Sequence, residues 1–135
     1  MNVHELTPIL NVSDMAASFA WFEKLGWKKG WDWGEPPTFG AVECGKVTIF
    51  LCLNSQGSRG GPVPVQPGDT KTGGVWMSWW VESPAAVNAA HDLALQHGMA
   101  VTQIPTDEVW GVREFHLRHP DGHTFRVSAG LGKKG

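Results

Sequence analysis

The sequence predicts an α+β protein in which two βαβββ modules form a curved sheet bearing a cleft. Three observations carry this expectation. A strand-like run passes into a capped helix twice, at Val12-Ser13-Asp14 and at Val81-Glu82-Ser83. Three short β-rich runs follow each helix, and a stretch rich in glycine and proline, without periodicity, separates the two copies. The expected boundaries are residues 4–54 for the first module, 55–74 for the connection and 75–130 for the second, within one domain of 135 residues.

The first strand is TPILNV. Ser13 or Asp14 caps the following helix, in which Met15, Phe19 and Phe22 recur at helical spacing, and Gly26 terminates it. WKKGWDW, TFGAVEC and KVTIFLCL are the next strands, parted by the turn formers GEPP and CGK. Asn54 to Gly74 reads as a long surface connection, and its glycines at 57–61 lack the lysine and helix of a phosphate-cradling loop. VWMSWWV is a strand, and ESPAAVNAAHDLALQHG is a helix with Ser83 as cap, Pro84 in the first turn and Gly98 behind His97. MAVTQIP, VREFHLR and HTFRVSA complete the second module, the last two joined by the turn HPDG at 119–122.

A formal charge of −2 offers no basic footprint, so nucleic acid is not an expected partner. No run approaches the roughly 20 apolar residues of a membrane span, and the N-terminus lacks the pattern of a secretory leader; a cytoplasmic protein with no membrane partner is expected. Cys44 and Cys52 are too few for a disulfide framework and match no zinc spacing, so both are expected to be small buried side chains. The unusual feature is aromatic: eight tryptophans and six phenylalanines, with no tyrosine. Such rings serve a core or a site that stacks on flat ligands, and their positions decide which.

The runs PILNVSD…FAWFEKLGW, VTIFL and WGVREFHLRHPDGHTFR resemble the vicinal oxygen chelate superfamily of glyoxalases, bleomycin resistance proteins and dioxygenases. The resemblance extends from Thr7 to Ser128 and is nearest to the bleomycin-resistance branch, with its W-G-x-E-F motif followed by R-D-P-x-G. Val112 is an extra residue in the first motif, and His119 stands where the branch has aspartate.

The metalloenzymes of that superfamily hold a divalent ion with His, Glu, His and Glu on the first, fourth, fifth and eighth strands. The resemblance carries those positions onto Thr7, Phe50, Trp76 and Arg126, the last three of which cannot ligate a cation. It therefore implies no metal, no cofactor and no catalytic residue. His119 and His123 are expected to line a solvent-exposed turn, His116 to hydrogen-bond within the sheet, and His91 and His97 to lie on the helix surface or at its end. A metal-dependent lyase, thiol transferase or dioxygenase with displaced ligands, such as His116 with Glu114, is the alternative.

Strand alternation supplies the site. If Trp76 faces the cleft, so do Ser78 and Trp80, while Met77 and Trp79 pack on a helix. Phe50 joins them, with Trp31, Trp33 and Phe39 from the aromatic region, and Trp110 from the W-G motif. Trp21 and Trp79 are expected in the core. Carboxylates such as Asp32, Glu35, Glu108 and Glu114 are candidates to meet a cationic tail. Arg113, Arg118 and Arg126 hold an anion or pair with nearby carboxylates, and Glu114 and Arg126 enter the ligand-binding set. The resemblance implies that such aromatics grip a planar antibiotic at a groove between two subunits of a homodimer.

Overall fold

The computed structural model describes residues 1–61 and 73–132, so most of the expected connection, from 62 to 72, lies outside the described residues. The chain divides by contact into two compact units, Met1–Arg59 and Gly60–Gly135.

In the first unit β1 (Ile9–Val12), α1 (Met15–Glu23), β2 (Lys28–Trp33), β3 (Phe39–Cys44) and β4 (Val47–Leu53) follow in order. The sheet runs β1-β4-β3-β2, with β1 parallel to β4 and the other pairs antiparallel. Asp14, not Ser13, is the helix cap: its Oδ1 accepts the Ala17 N–H at 2.9 Å. Gly26 follows the helix at φ 92°, a left-handed conformation that disfavours any side chain. Alternation sends Leu10, Val42, Ile49 and Leu51 to the α1 side, where they are buried with Phe19 and Phe22. A Cβ added at Gly40 would lie 2.7 Å from Phe19 Cζ, so β3 is bare where the helix crosses it.

The second unit repeats this order with β5 (Trp76–Trp80), α2 (Pro84–Gln96), β6 (Ala100–Asp107), β7 (Val112–Arg118) and β8 (Thr124–Gly130). Its sheet runs β5-β8-β7-β6, with β5 parallel to β8. Ser83 Oγ accepts the Ala86 N–H at 3.1 Å, Pro84 opens α2, and Gly98 takes φ 64° just beyond it. Val87 and Ala94 of α2 are buried, as are Phe115, Leu117, Phe125 and Val127 of the sheet. His91 is partly exposed on α2, and its ring meets Phe115 edge-on at 5.3 Å. No helix among the described residues is long and apolar enough to cross a membrane.

Two expectations fail here. Cys44 is exposed, because it ends β3 at the hairpin turn, where no element covers it; Cys52 alone is buried. His119 and His123 are 1 % and 0 % exposed rather than solvent-facing. Their rings are used as hydrogen-bond acceptors for the main chain: His119 Nδ1 takes the Asp121 N–H at 2.9 Å, and His123 Nδ1 takes the Val75 N–H at 3.0 Å. A ring accepting at Nδ1 is neutral and carries its proton on Nε2. The turn is also packed backbone against backbone. Gly60 N–H donates to Asp121 O at 2.8 Å, and a Cβ at Gly74 would lie 2.6 Å from Gly122 O. One at Gly122, where φ is 87°, would overlap the backbone of Gly60.

Burial, reinforced by repulsion from His123 and partly offset by Asp121, lowers the His119 pKa from 6.5 to about 3. The unfolded chain takes up this proton below pH 6.5, whereas the folded chain resists it down to about 3. Stability is therefore complete above the unfolded value and falls as pH drops between the two, by about 1.4 kcal/mol per pH unit. Urea midpoints should be level from pH 8 to 7 and decline between 6.5 and 5, a window in which ordinary carboxylates do not titrate. A level midpoint down to pH 5 would contradict a neutral, buried His119.

Candidate ligand-binding faces

In the first unit the face turned away from α1 is aromatic. The register sets Trp31 opposite Ala41 and Ala41 opposite Phe50; the next row sets Trp33 opposite Phe39 and Phe39 opposite Cys52. Residues directly opposite one another share a face. A bulge between Lys29 and Trp31 places both indoles there, since Lys29 pairs with Val42 on the helix side and Gly30 is the extra residue. Trp31, Phe39 and Phe50 form a mutual cluster with centroids 5.3, 5.5 and 5.4 Å apart and planes tilted by 57° to 63°. Trp31 is 39 % exposed and Trp33 70 %.

A concavity of about 470 Å³ adjoins this cluster, lined by Trp33, Thr38, Phe39, Cys52, Ser55 and Gln56 among others. The Cys52 thiol donates to Ser55 O at 3.2 Å, and burial raises its pKa, which keeps it protonated and poorly nucleophilic. A larger hollow, about 660 Å³, lies on the opposite side of the sheet against α1, lined by Asp14, Phe19, Lys29, Asp32 and Pro36 among others. Asp32 belongs there: it pairs with Gly40 on the helix side and bonds Lys29 Nζ at 2.7 Å, so it is not poised beside the aromatic cluster.

In the second unit Trp76, Ser78 and Trp80 share a face with Arg126 of β8 and with Glu114 and His116 of β7. Met77 and Trp79 point the other way, and Trp79 stacks on Phe125 at 4.2 Å with planes 17° apart. Trp21, 7 % exposed, is in the first unit's core. Ser78 is exposed, Trp80 is 68 % exposed, and Trp76 meets His116 edge-on at 5.7 Å. Trp110, 60 % exposed, sits in the β6–β7 turn, and among the described residues it makes no ring contact with this group.

Glu114 is the buried centre of the face, 0 % exposed. Its Oε1 accepts Arg126 Nη2 at 2.8 Å, and its Oε2 accepts Arg126 Nε at 2.8 Å and lies 2.7 Å from His116 Nε2. The guanidinium hydrogen bond is the largest influence on this carboxyl; His116 adds to it and desolvation opposes it, and the pKa falls from 4.5 to about 2. The same pairing raises the Arg126 pKa. Glu114 is thus occupied and cannot serve as the free carboxylate for a cationic tail. Arg113 is occupied as well, by Asn88 at 2.9 Å and Asp107 at 2.9 Å, while Arg118 is 1 % exposed in the sheet.

A repeated βαβββ unit with its first strand parallel to its last, and an open sheet face in each copy, defines a paired-module α+β protein. Residues 3–127 match the Glyoxalase/Bleomycin resistance protein/Dioxygenase superfamily, and the chain belongs to it. No curated protein matches the sequence. Among solved structures, a glyoxalase/bleomycin resistance protein/dioxygenase from Nocardioides aligns over 100 % of this chain and 89 % of its own, with 19 % identity and a TM-score of 0.71. A lactoylglutathione lyase from Agrobacterium tumefaciens aligns over 96 % of both chains, with 16 % identity and a TM-score of 0.71. A bleomycin-binding protein complexed with bleomycin aligns over 95 % of this chain and 99 % of its own, with 14 % identity and a TM-score of 0.66. At such identities the likeness is one of fold.

The divalent ion that this superfamily implies does not fit the residues present. Thr7 precedes β1, and Phe50, Trp76 and Arg126 lie on β4, β5 and β8. Phenyl, indole and guanidinium groups have no lone pair to give. Glu114 and His116 do not replace them, because both oxygens of Glu114 are held by a guanidinium whose charge repels a cation. Among the described residues no group of three or more His, Cys, Asp or Glu side chains is placed to hold a metal.

Proposed function

We propose that this chain is a non-catalytic binding protein that sequesters a planar aromatic antibiotic of bleomycin type and thereby confers resistance. It would act in the cytoplasm, as a homodimer. The observation that carries the reading is the Trp31–Phe39–Phe50 cluster, which spends three large rings on an open sheet face rather than in the core. Tilted rings at these spacings leave faces and edges free to stack on a flat guest, at about 1 kcal/mol for each good aromatic contact. Trp76 and Trp80 offer the same on the second unit.

Titrating intrinsic tryptophan fluorescence with bleomycin tests the proposal. Saturable quenching is expected, weakened roughly tenfold by Trp31→Ala or Trp76→Ala, because each removes a stacking ring. Metal analysis of the same preparation should find no stoichiometric ion. Absence of quenching by bleomycin and by other planar antibiotics, or a tightly held divalent ion with activity on a thiol adduct or a catechol, would overturn it.

A further inference from the structure

The face of the second unit holds a polar row with a definite sense. Ser78 pairs with Arg126, Arg126 with His116, and His116 with Gln103, so the four side chains cross the sheet on one line and on one face. The buried carboxylate at the centre of this region is already used: Glu114 holds three bonds or close contacts. Donor capacity is not. Arg126 spends Nε and Nη2 on Glu114, and among the described residues Nη1 has no partner, on a side chain 35 % exposed. Gln103 Nε2 is buried without a hydrogen-bond partner. A buried amide donor left unmade costs free energy unless something outside the chain completes it.

We propose that the row Ser78–Arg126–His116–Gln103 seats an acceptor group, a carboxylate best of all, carried on the edge of a planar aromatic guest that lies against Trp76. The inference rests on the stacking function proposed above and adds the polarity of the guest. A guanidinium edge takes a carboxylate oxygen through a charge-assisted hydrogen bond, while a cationic group finds no acceptor on that edge. Trp76, whose edge-on contact fixes it beside His116, supplies the flat wall next to this row. Selectivity for guests would therefore come from hydrogen-bond sense, and the rings would supply the stacking affinity.

Isothermal calorimetry on the whole chain with 2-naphthoate, 2-naphthamide and 2-naphthylmethylammonium separates the two contributions. The expected order is naphthoate, then naphthamide, then the ammonium, with about tenfold between the first and the last. Arg126→Met should remove that preference while naphthamide still binds. That variant also disturbs the Glu114 pair, so Gln103→Leu provides a second reading: it deletes an unsatisfied donor, leaves the fold intact and lowers naphthoate affinity severalfold. Equal affinity for the three probes, or tightest binding of the ammonium, sinks the donor row while leaving the stacking function standing. No binding of any probe sinks both.

Discussion

Gly122→Ala is expected to unfold the second unit well below the melting temperature of the native chain. Two costs combine. A φ of 87° is unfavourable for alanine, and the new methyl would overlap the Gly60 backbone, which no side-chain rotation relieves. Together they amount to about 3 kcal/mol, or a fall of roughly 10 °C in Tm for a chain of this size. Gly132→Ala is the control, since φ is 81° there but nothing lies within 4 Å of the added Cβ. It should cost only the backbone share, about 1 kcal/mol. Near-ultraviolet circular dichroism melts measure both, and equal losses would show that the Gly60–Gly122 contact is not tight in solution.

Arg126→Met should destabilise the chain by about 2 kcal/mol at neutral pH. The loss is smaller than for a fully buried pair, because Arg126 keeps about a third of its side chain in water. Glu114 has no such exposure, and the variant strands its charge with His116 alone. The pH sign follows. In the native chain Arg126 holds this carboxyl at about 2, below the unfolded 4.5, so its contribution is present above 4.5 and lost as pH falls toward 2. Without Arg126, desolvation raises the folded pKa, so the variant's deficit is largest above pH 4.5 and shrinks in acid. Urea denaturation of the single variant and of Glu114→Gln/Arg126→Met should show the double variant recovering most of the loss. A deficit independent of pH would mean that lost packing, not a stranded charge, is the cause.

All ten elements were legible in the sequence, because each helix carries its own punctuation and each strand its own alternation. Asp14, Ser83, Gly26 and Gly98 act locally, and local signals survive in a linear text. The orientation of Trp31 and Trp33 was harder. Alternation puts them on one face but does not say which; that depends on the Gly30 bulge, and a glycine inside a strand pattern was the available clue. The burial of His119 and His123 escapes a local reading because Val75, whose N–H the His123 ring accepts, and the glycines at 60 and 74, which pack on the turn between the two rings, are remote in sequence. The engagement of Glu114 was recoverable by counting outward from the HPDG turn, which puts Arg126 opposite His116 and diagonal to Glu114.

The bulge at Gly30 makes the character of the first unit's open face a matter of arithmetic. Draw that residue into regular pairing opposite Ala41 and every position after it in β2 changes sides, sending two indoles toward α1 and exposing Asp32 in their place. The same residues could thus present or withdraw an aromatic platform through a shift of pairing alone, with no ring ever replaced. Comparisons of related chains that score only residue identities would overlook such an event.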